Sequence, residues 1–311
     1  MNFSGKIRVL VTGASGFIGR HTLPELVSHG YDVHAIGRTS LPEVRSVTWH
    51  KCDLLMPGAA TPIVRALRAD HLLHLAWNAV PGSFWSAPDN LDWVAATVQL
   101  FRVFAASGGR RAVFAGSYAE YDWSFDLLSE DETPLMPRTL YGRAKGAVRE
   151  MVLDPNASKD VSVAWGLLFS VYGPGEPRGK LVSDLVAGLL AGQAVDCTEG
   201  RQERDYIHVK DVARAFVDVL VSDLRGTVNI ASGVCRPVAS VINEIARQVG
   251  RPDLVRLGML SLSPNEPQRL AANTTRLFDR VGFRPRFDVA AGIADTIAAS
   301  RAKIVGNSPG R

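Results

Sequence analysis

The chain has 311 residues, of which 46% are hydrophobic and 21% are charged, and its net charge is +4 at pH 7. A chain of this length buries enough surface for one large domain or two, and its composition is typical of a globular enzyme. The small charge, with no basic block, argues against a nucleic-acid partner and suits an anionic small substrate.

The N-terminus and the cysteines predict a soluble, cytoplasmic protein. Lys6 and Arg8 precede a strand-like stretch rather than the apolar core of a signal peptide. No apolar run approaches the ~18 residues that span a bilayer. Cys52, Cys197 and Cys235 lie far apart without a Cys-x-x-Cys spacing, so we expect inert core thiols rather than a zinc site or disulfides.

The first half of the chain alternates short apolar runs with helical patterns, which predicts an α/β fold with a doubly wound parallel sheet. The apolar runs predict strands at 7–11, 33–36, 47–50, 72–75, 112–115 and 161–165. Helical periodicity predicts helices at 17–28, Asn90–Ala106 and 141–152.

The pattern changes beyond about Trp165. From Arg236 onward we expect mostly helix, with Asn273 as the N-cap of a helix that runs to Asp279. Residues 306–311 are expected to be frayed. Other expected elements are a loop at 173–179, helices at Leu181–Leu190 and Val209–Val221, a strand at 205–209, and turns at 250–252 and 263–267.

A glycine motif follows the first predicted strand and opens a helix, which is the context that a dinucleotide fingerprint requires. Gly13 permits the tight turn, Gly16 lets the backbone approach a pyrophosphate, and Gly19 lets the helix pack on the strand. The helix N-terminus supplies unpaired N–H groups for the phosphates. The cofactor contacts expected at this loop are Gly13, Ser15, Gly16, Phe17, Ile18 and Gly19.

The end of the second strand carries no carboxylate. NAD enzymes usually place an acidic residue there, whereas an arginine accommodates the 2′-phosphate of NADP. Arg38 therefore favours NADP, and the alternative is a surface arginine. Asp53, just past a predicted strand, would accept from the adenine amino group or would simply form a turn. The other expected cofactor contacts are Leu54, Leu75 and Ala76.

Tyr141 and Lys145 lie four residues apart on a predicted helix, so both side chains can point into one cleft. A nearby ammonium favours the ionised phenol and lowers the tyrosine pKa from about 10 toward working pH, where proton transfer is efficient. Taken alone, the pair fits a half-buried tyrosine beside a solvated lysine better than a catalytic pair. The glycine motif favours the catalytic interpretation, in which Ser117 hydrogen-bonds a substrate oxygen beside the tyrosine.

Together these motifs resemble the extended short-chain dehydrogenase/reductases of the NAD-dependent epimerase/dehydratase type. The resemblance implies a Rossmann-type fold, an NAD(P) cofactor, and a nucleotide-diphosphate sugar bound by a smaller C-terminal region. It also implies a homodimer. The landmarks are Gly13, Gly16, Gly19, Asp53, His74, Leu75, Ala76, Ser117, Tyr141, Lys145, Tyr172, Gly173, Pro174, Arg204 to Val209, and 281–285.

The resemblance also assigns roles to single residues. It implies that Tyr141 is the acid/base, that Lys145 holds the nicotinamide ribose and tunes the tyrosine, and that Ser117 orients the substrate. Arg204 falls where the family pairs an arginine with the substrate diphosphate.

Two further residues keep simpler alternatives. The alternative for Arg204 is an ion pair with Asp205 or Asp211. His208 is expected to be a packed structural residue.

Several positions depart from the family pattern. Nucleotide-sugar 4,6-dehydratases place an Asp-Glu pair after the serine, where this chain has Tyr118 and Ala119, and dual epimerase-reductases tend to use cysteine in place of Ala119. Leu167 and Ser170 stand where the family often has arginine and asparagine. The run 116–123 resembles 4-ketoreductases such as the CDP-paratose and CDP-abequose synthases. Alternatively, Tyr118, Tyr121 and Trp123 are wall residues of a differently shaped pocket.

The sequence therefore predicts NADPH-dependent reduction of a keto group, at C4, on a nucleotide-diphosphate deoxysugar. Tyr141 would protonate the oxygen, Ser117 would polarise the carbonyl, and Tyr118 and Arg204 would bind the substrate. The alternative in the same class is a nucleotide-sugar 4-epimerase that retains NAD, and the alternative from another class is a non-catalytic NAD(P)-binding sensor. No metal and no membrane partner is expected.

The predicted organisation has two parts. Residues 1–165 form the dinucleotide-binding domain, to which 205–232 returns. Residues 166–204 and 233–305 form the mostly helical substrate-binding region.

Overall fold

The structure, a computed structural model, describes residues 6–41, 44–264 and 266–306, so residues 307–311 of the predicted frayed tail lie outside the described residues. The strands of the described part are β1 (Arg8–Thr12), β2 (Asp32–Gly37), β3 (Val47–Lys51), β4 (His71–His74), β5 (Arg111–Ser117), β6 (Leu127–Leu128), β7 (Ser162–Leu168), β8 (Ser170–Tyr172), β9 (Val195–Asp196), β10 (Glu203–His208), β11 (Gly226–Ile230), β12 (Cys235–Pro237), β13 (Val255–Arg256) and β14 (Arg269–Ala272). Its α-helices are α1 (Gly19–Ser28), α2 (Thr61–Leu67), α3 (Asn90–Ala106), α4 (Leu140–Leu153), α5 (Leu181–Leu190), α6 (Val209–Val221), α7 (Val238–Val249) and α8 (Val289–Gly306).

Seven parallel strands form the central sheet in the order β11-β7-β5-β4-β1-β2-β3. Helices α2, α3 and α4 pack on one face, and α1 and α6 pack on the other. A parallel sheet covered on both faces has apolar strands, and Val9, Leu10 and Val11 of β1 are completely buried. The strand order reverses beside β1, as in dinucleotide-binding folds, and it confirms the predicted Rossmann-type doubly wound sheet.

A third apolar core lies between α5, α7 and α8. Beside it, β10 is the centre of a smaller sheet in the order β12-β10-β14-β6, and it also pairs with β8. The expected helix content beyond Arg236 is confirmed for α7 and α8. The expectation is wrong for β13 and β14, because those short strands pair with β9, β6 and β10, which are distant in sequence.

The predicted helix that starts at Asn273 is wrong in its boundary. A five-residue π-helix spans Arg276–Arg280, and its N-cap is Thr275. The side chain of Asn273 instead accepts the backbone N–H of Thr275 at 3.0 Å, so it forms a turn two residues before the helix.

Within the described residues, no helix is both long and apolar enough to cross a membrane. Cys52 and Cys197 are buried, Cys235 is half-buried, and all three are free thiols. β11 forms one edge of the central sheet, whereas β10, which precedes it in the chain, lies in the smaller sheet. The predicted domain boundaries stay a prediction.

Candidate active site

The glycine loop joins β1 to α1, and its backbone leaves no room for side chains at two positions. Gly13 has φ of +69°, and a Cβ there would lie 2.7 Å from the backbone nitrogen of Ala76. A Cβ on Gly19 would lie 2.2 Å from the carbonyl oxygen of Gly13. The N–H of Gly16 closes the turn on that carbonyl at 2.9 Å. The loop therefore presents bare backbone at the N-terminus of α1, which fits a pyrophosphate.

Ser117 ends β5 and caps the short 3-10 turn Tyr118–Glu120. Its hydroxyl accepts the N–H of Ala119 at 3.2 Å, and the carboxylate of Glu120 accepts the N–H of Ser117 at 3.0 Å. These reciprocal bonds form a capping box. They fix the serine side chain at the carboxyl end of the sheet, where open α/β sheets bind ligands.

The helix α4 carries Tyr141 in its first turn. The hydroxyl of Thr139 caps the helix by accepting the N–H of Gly142 at 3.1 Å. A Cβ on Gly142 would lie 2.3 Å from the carbonyl oxygen of Ala119, so glycine lets the helix approach the turn that follows Ser117. The serine and the tyrosine, 24 positions apart, are thereby brought together.

The half-buried side chain of Tyr141 packs among aromatic rings. Burial raises the pKa of the phenol, and the nearby hydroxyl of Ser117 opposes that rise. The expected lowering of this pKa by Lys145 toward working pH is not seen in the chain alone, where desolvation is the largest effect. Ser117 and Tyr141 both line the central cleft described below, so one substrate oxygen can lie between their hydroxyl groups.

Lys145 lies one helical turn beyond Tyr141 and is 3% exposed. Its ammonium donates to the carbonyl of Ala115 at 2.7 Å and lies 3.9 Å from the centre of the Trp77 ring. Burial lowers the pKa of this lysine, and the charge of Glu120 opposes that effect. The ammonium is thus fixed beneath Tyr141, with Nζ 5.9 Å from the centre of the phenol ring.

An aromatic wall around Tyr141 was not predicted from the sequence. Phe84, Trp85 and Trp77 present their rings edge-on at 4.9, 5.8 and 6.4 Å from the Tyr141 ring, and the carbonyl of Trp85 accepts the Tyr141 N–H at 3.1 Å. Edge-to-face packing at these distances is favourable. The signal in the sequence that could have indicated this wall is the presence of three aromatic residues within 77–85.

A cleft of about 430 Å³, the central cleft, joins the glycine loop to these groups. Of the predicted site residues it is lined by Gly13, Gly16, Phe17, Ile18, Gly19, Leu75, Ala76, Ser117, Tyr118 and Tyr141. Ser15, Arg38, Asp53, Leu54, Lys145 and Arg204 are not among its lining residues. One connected cleft therefore holds the dinucleotide loop at one end and the serine and tyrosine hydroxyls at the other.

The predicted ribose end lies beside the glycine loop. Arg38 is exposed, and the hydroxyl of Thr39 donates to that of Ser15 at 3.3 Å. Asp53 accepts the N–H of Leu55 at 3.1 Å, which is the turn that the alternative interpretation expected. Leu54 lines a separate cleft beside α3.

Arg204 is buried and forms an ion pair with Glu266. Its predicted alternative partners are wrong, because Asp205 accepts the N–H groups of Ser232 and Gly233, and Asp211 accepts those of residues 286 and 287. Glu266 is 62 positions from Arg204, so no local spacing indicates the pair.

His208 is buried and stacks on Phe287 with ring centres 4.1 Å apart. Burial lowers its pKa to about 4. The ring packs outside the central cleft, as expected for a structural histidine.

Two charged residues of the 173–180 loop line the cleft and were not predicted. Glu176 accepts the N–H of Ser183 at 2.9 Å, and burial raises the pKa of its carboxyl to about 8. The ammonium of Lys180 lies 5.5 Å from the centre of the Phe84 ring. No motif marked them, because they lie in a loop defined only by glycine and proline.

Comparison with known proteins identifies the family. Residues 9–231 match the model of the NAD dependent epimerase/dehydratase family. A UDP-glucose 4-epimerase of Azospirillum brasilense is 26% identical over 92% of this chain and 89% of its own. A dTDP-6-deoxy-L-talose 4-dehydrogenase (NAD(+)) of Aggregatibacter actinomycetemcomitans is 23% identical over 76% of this chain and 89% of its own.

A solved structure has the same fold along nearly the whole chain. MoeE5 in complex with UDP-glucuronic acid and NAD is 30% identical, with a TM-score of 0.82 over 96% of this chain and all of its own. The match of the family model to most of the chain agrees with this likeness. The chain is an oxidoreductase-type enzyme that belongs to the NAD dependent epimerase/dehydratase family.

Proposed function

We propose that the enzyme transfers a hydride at C4 of a nucleotide-diphosphate sugar, with Tyr141 as the acid/base. The observation that carries this proposal is the placement of Ser117 and Tyr141 together in the lining of a cleft that begins at the glycine loop. When bound, a nicotinamide dinucleotide supplies or accepts the hydride. The phenol moves the proton on the sugar oxygen, and the serine hydroxyl holds that oxygen in place.

The remaining roles follow from position. Gly13, Gly16 and Gly19 hold the pyrophosphate, and Lys145 supplies a fixed positive charge beneath Tyr141. Tyr118 lines the sugar end of the cleft. Residues 166–204 and 233–305 form the substrate-binding region, where Arg204 binds the diphosphate once it exchanges Glu266 for phosphate oxygens.

Two reactions use this same chemistry. The first candidate is 4-epimerisation, in which C4 is oxidised and then reduced on its other face while NAD stays bound. The relatives support it, because a UDP-glucose 4-epimerase matches almost the entire chain and the MoeE5 structure holds NAD. An epimerase needs no second substrate, so its NAD should remain bound when the protein is purified.

The second candidate is NADPH-dependent reduction of a 4-keto deoxysugar nucleotide. The observation that favours it is the ribose end of the site, where the described side chains at the end of β2 are Arg38 and the hydrogen-bonded hydroxyls of Thr39 and Ser15, without a carboxylate. A guanidinium there accommodates a 2′-phosphate. The 4-dehydrogenase relative catalyses an oxidoreduction at C4, which makes this reaction reasonable in the family.

Nucleotide release and turnover separate the candidates. Purified protein is denatured and the released nucleotide identified, and the native protein is assayed with UDP-galactose and, separately, with NADPH and a dTDP-4-keto-6-deoxysugar. Bound NAD with conversion of UDP-galactose supports the epimerase. NADPH consumption that Arg38→Ala weakens supports the reductase.

Tyr141→Phe tests the shared chemistry. It should lower turnover by at least ~100-fold in either reaction, the usual contribution of positioned proton transfer. Unchanged turnover would refute the role of Tyr141, and a biological activity unaffected by this change would favour the non-catalytic sensor.

A further inference from the structure

Glu120 is a completely buried carboxylate beside the active site that the proposed reaction leaves unused. One oxygen accepts the N–H of Ser117 and the indole N–H of Trp165, each at 3.0 Å. The other oxygen accepts Nε of Arg149 at 3.0 Å. Three donated hydrogen bonds, one of them from a guanidinium, favour the ionised form against burial, which raises the carboxyl pKa.

The partner of this carboxylate lies on the catalytic helix. Tyr141, Lys145 and Arg149 follow one another at four-residue intervals on α4, so they share one face of the helix. The third residue of that face binds Glu120, and Glu120 in turn binds the backbone of Ser117. The ion pair therefore connects the helix that carries the tyrosine to the strand end that carries the serine.

The strand is shaped to admit the carboxylate. A Cβ on Gly116 would lie 2.0 Å from Nε1 of Trp165 and 2.7 Å from Oε1 of Glu120. Only glycine lets both groups approach the end of β5. Gly116, Glu120, Arg149 and Trp165 thus form one built site around a single negative charge.

We propose that Glu120, held by Arg149 and Trp165, is a positioning residue that fixes Ser117 against Tyr141 and places a negative charge against the helix face that carries Lys145. The inference rests on the proposed function, because it concerns the same hydroxyl pair and lysine. The carboxylate raises the pKa of Lys145 and opposes the desolvation that lowers it. The other titratable groups that interact with this lysine are His74 on β4, whose pKa burial lowers to about 3, and Tyr141, whose pKa burial raises, so both stay neutral near pH 7.

The charge of Lys145 can be measured without any substrate. The protein is labelled with [13Cε]lysine, the Lys145 resonance is assigned by its loss in Lys145→Met, and its chemical shift is followed against pH. Glu120→Gln keeps the shape but removes the charge, so the Lys145 midpoint should fall by at least ~0.5 pH unit. Glu150→Gln is the matched control, since Glu150 also pairs with Arg149, at 3.7 Å, but is exposed and does not touch Ser117. Equal midpoints in wild type and Glu120→Gln would overturn the proposal.

Kinetics test the positioning itself. Glu120→Gln should lower kcat by at least ~10-fold with little change in KM, because the lost effect lies in proton transfer rather than in substrate binding. If Glu120→Gln does not fold, Arg149→Lys and Arg149→Met replace it. The lysine variant should keep most of the kcat and the methionine variant should lose it, and equal losses would contradict the proposal.

The two proposals fail in different ways. A wild-type protein that converts no sugar nucleotide, but whose Lys145 midpoint falls in Glu120→Gln, would refute the proposed function and leave the role of Glu120 standing. A wild-type protein that turns over, with a midpoint that Glu120→Gln does not move, would overturn only the role of Glu120.

Discussion

Replacing Gly19 by alanine should weaken nucleotide binding and lower stability together. A Cβ at this position would lie 2.2 Å from the carbonyl oxygen of Gly13 and 2.6 Å from Cα of Ala14, whereas ordinary contact begins at 3.4 Å. Since both neighbours are backbone, α1 or the loop must move by about 1.2 Å, the difference between 3.4 and 2.2 Å. Overpacking of this kind costs about 1–3 kcal/mol of unfolding free energy.

The same displacement acts on the cofactor. The loop that moves is the one proposed to bind the pyrophosphate through its N–H groups, and losing a hydrogen bond to a charged group costs about 1.5–3 kcal/mol, up to about 100-fold in affinity. We therefore expect the Kd for NAD, measured by titration calorimetry on nucleotide-free protein, to rise by about that factor. Urea denaturation measures the loss of stability on the same samples.

Gly146→Ala is the matched control for this substitution. Gly146 lies in the middle of α4, and a Cβ there would meet nothing within 4 Å. Alanine in a helix interior should stabilise by about 0.5–1 kcal/mol, opposite in sign to the effect at Gly19. If Gly19→Ala bound NAD as tightly as wild type and unfolded at the same urea concentration, the close packing of this loop on α1 would be refuted.

Two further predictions concern ionisable side chains. Arg111 donates hydrogen bonds to three carbonyl groups near the end of α6 and to the hydroxyl of Ser162. Arg111→Met should therefore lower the free energy of unfolding, measured by urea denaturation, by about 3 kcal/mol. Arg110→Met removes a half-exposed ion pair and should lower it by less than about 1 kcal/mol. The carboxyl of Glu176 has a pKa raised from 4.5 to about 8 in the folded protein. Between pH 4.5 and about 8 this carboxyl is therefore ionised in the unfolded state and protonated in the folded state. Wild-type stability should therefore fall relative to Glu176→Gln as pH rises from 4.5 to about 8, and parallel pH profiles would contradict this.

The parts of the fold that sequence patterns predict are those with regular apolar spacing. Helices α3, α5 and α6 were predicted at their observed bounds, because each has an apolar face with helical periodicity that packs on a sheet or core. The seven-residue α2 was missed, since it is too short to show a period. The strand pair β6–β14 was missed as well, because two-residue pairing depends on tertiary contacts rather than on local propensity.

The candidate site also contains residues that leave a local signal in the sequence and residues that do not. Ser117, Tyr141 and the three glycines could be predicted, because close backbone approach and helical spacing leave local signals. The pKa of Tyr141 was predicted in the wrong direction, since the sequence shows the nearby lysine but not the burial that dominates. The pairing of Arg204 with Glu266 was inaccessible for a similar reason, because 62 residues separate the partners and only the folded chain joins them.

The carboxyl groups near Ser117 limit the chemistry that the site supports. Eliminating water from a sugar needs a second acid and base beside the tyrosine. Among the described residues that line the central cleft, Glu176 is the sole carboxyl, and it lies on the loop before α5 rather than next to the serine. Glu120 is close in sequence but accepts three N–H groups in the core, so it has no free oxygen for a substrate proton. With Tyr118 and Ala119 in the dehydratase positions, the described lining of the cleft carries no carboxyl pair next to the serine for dehydration.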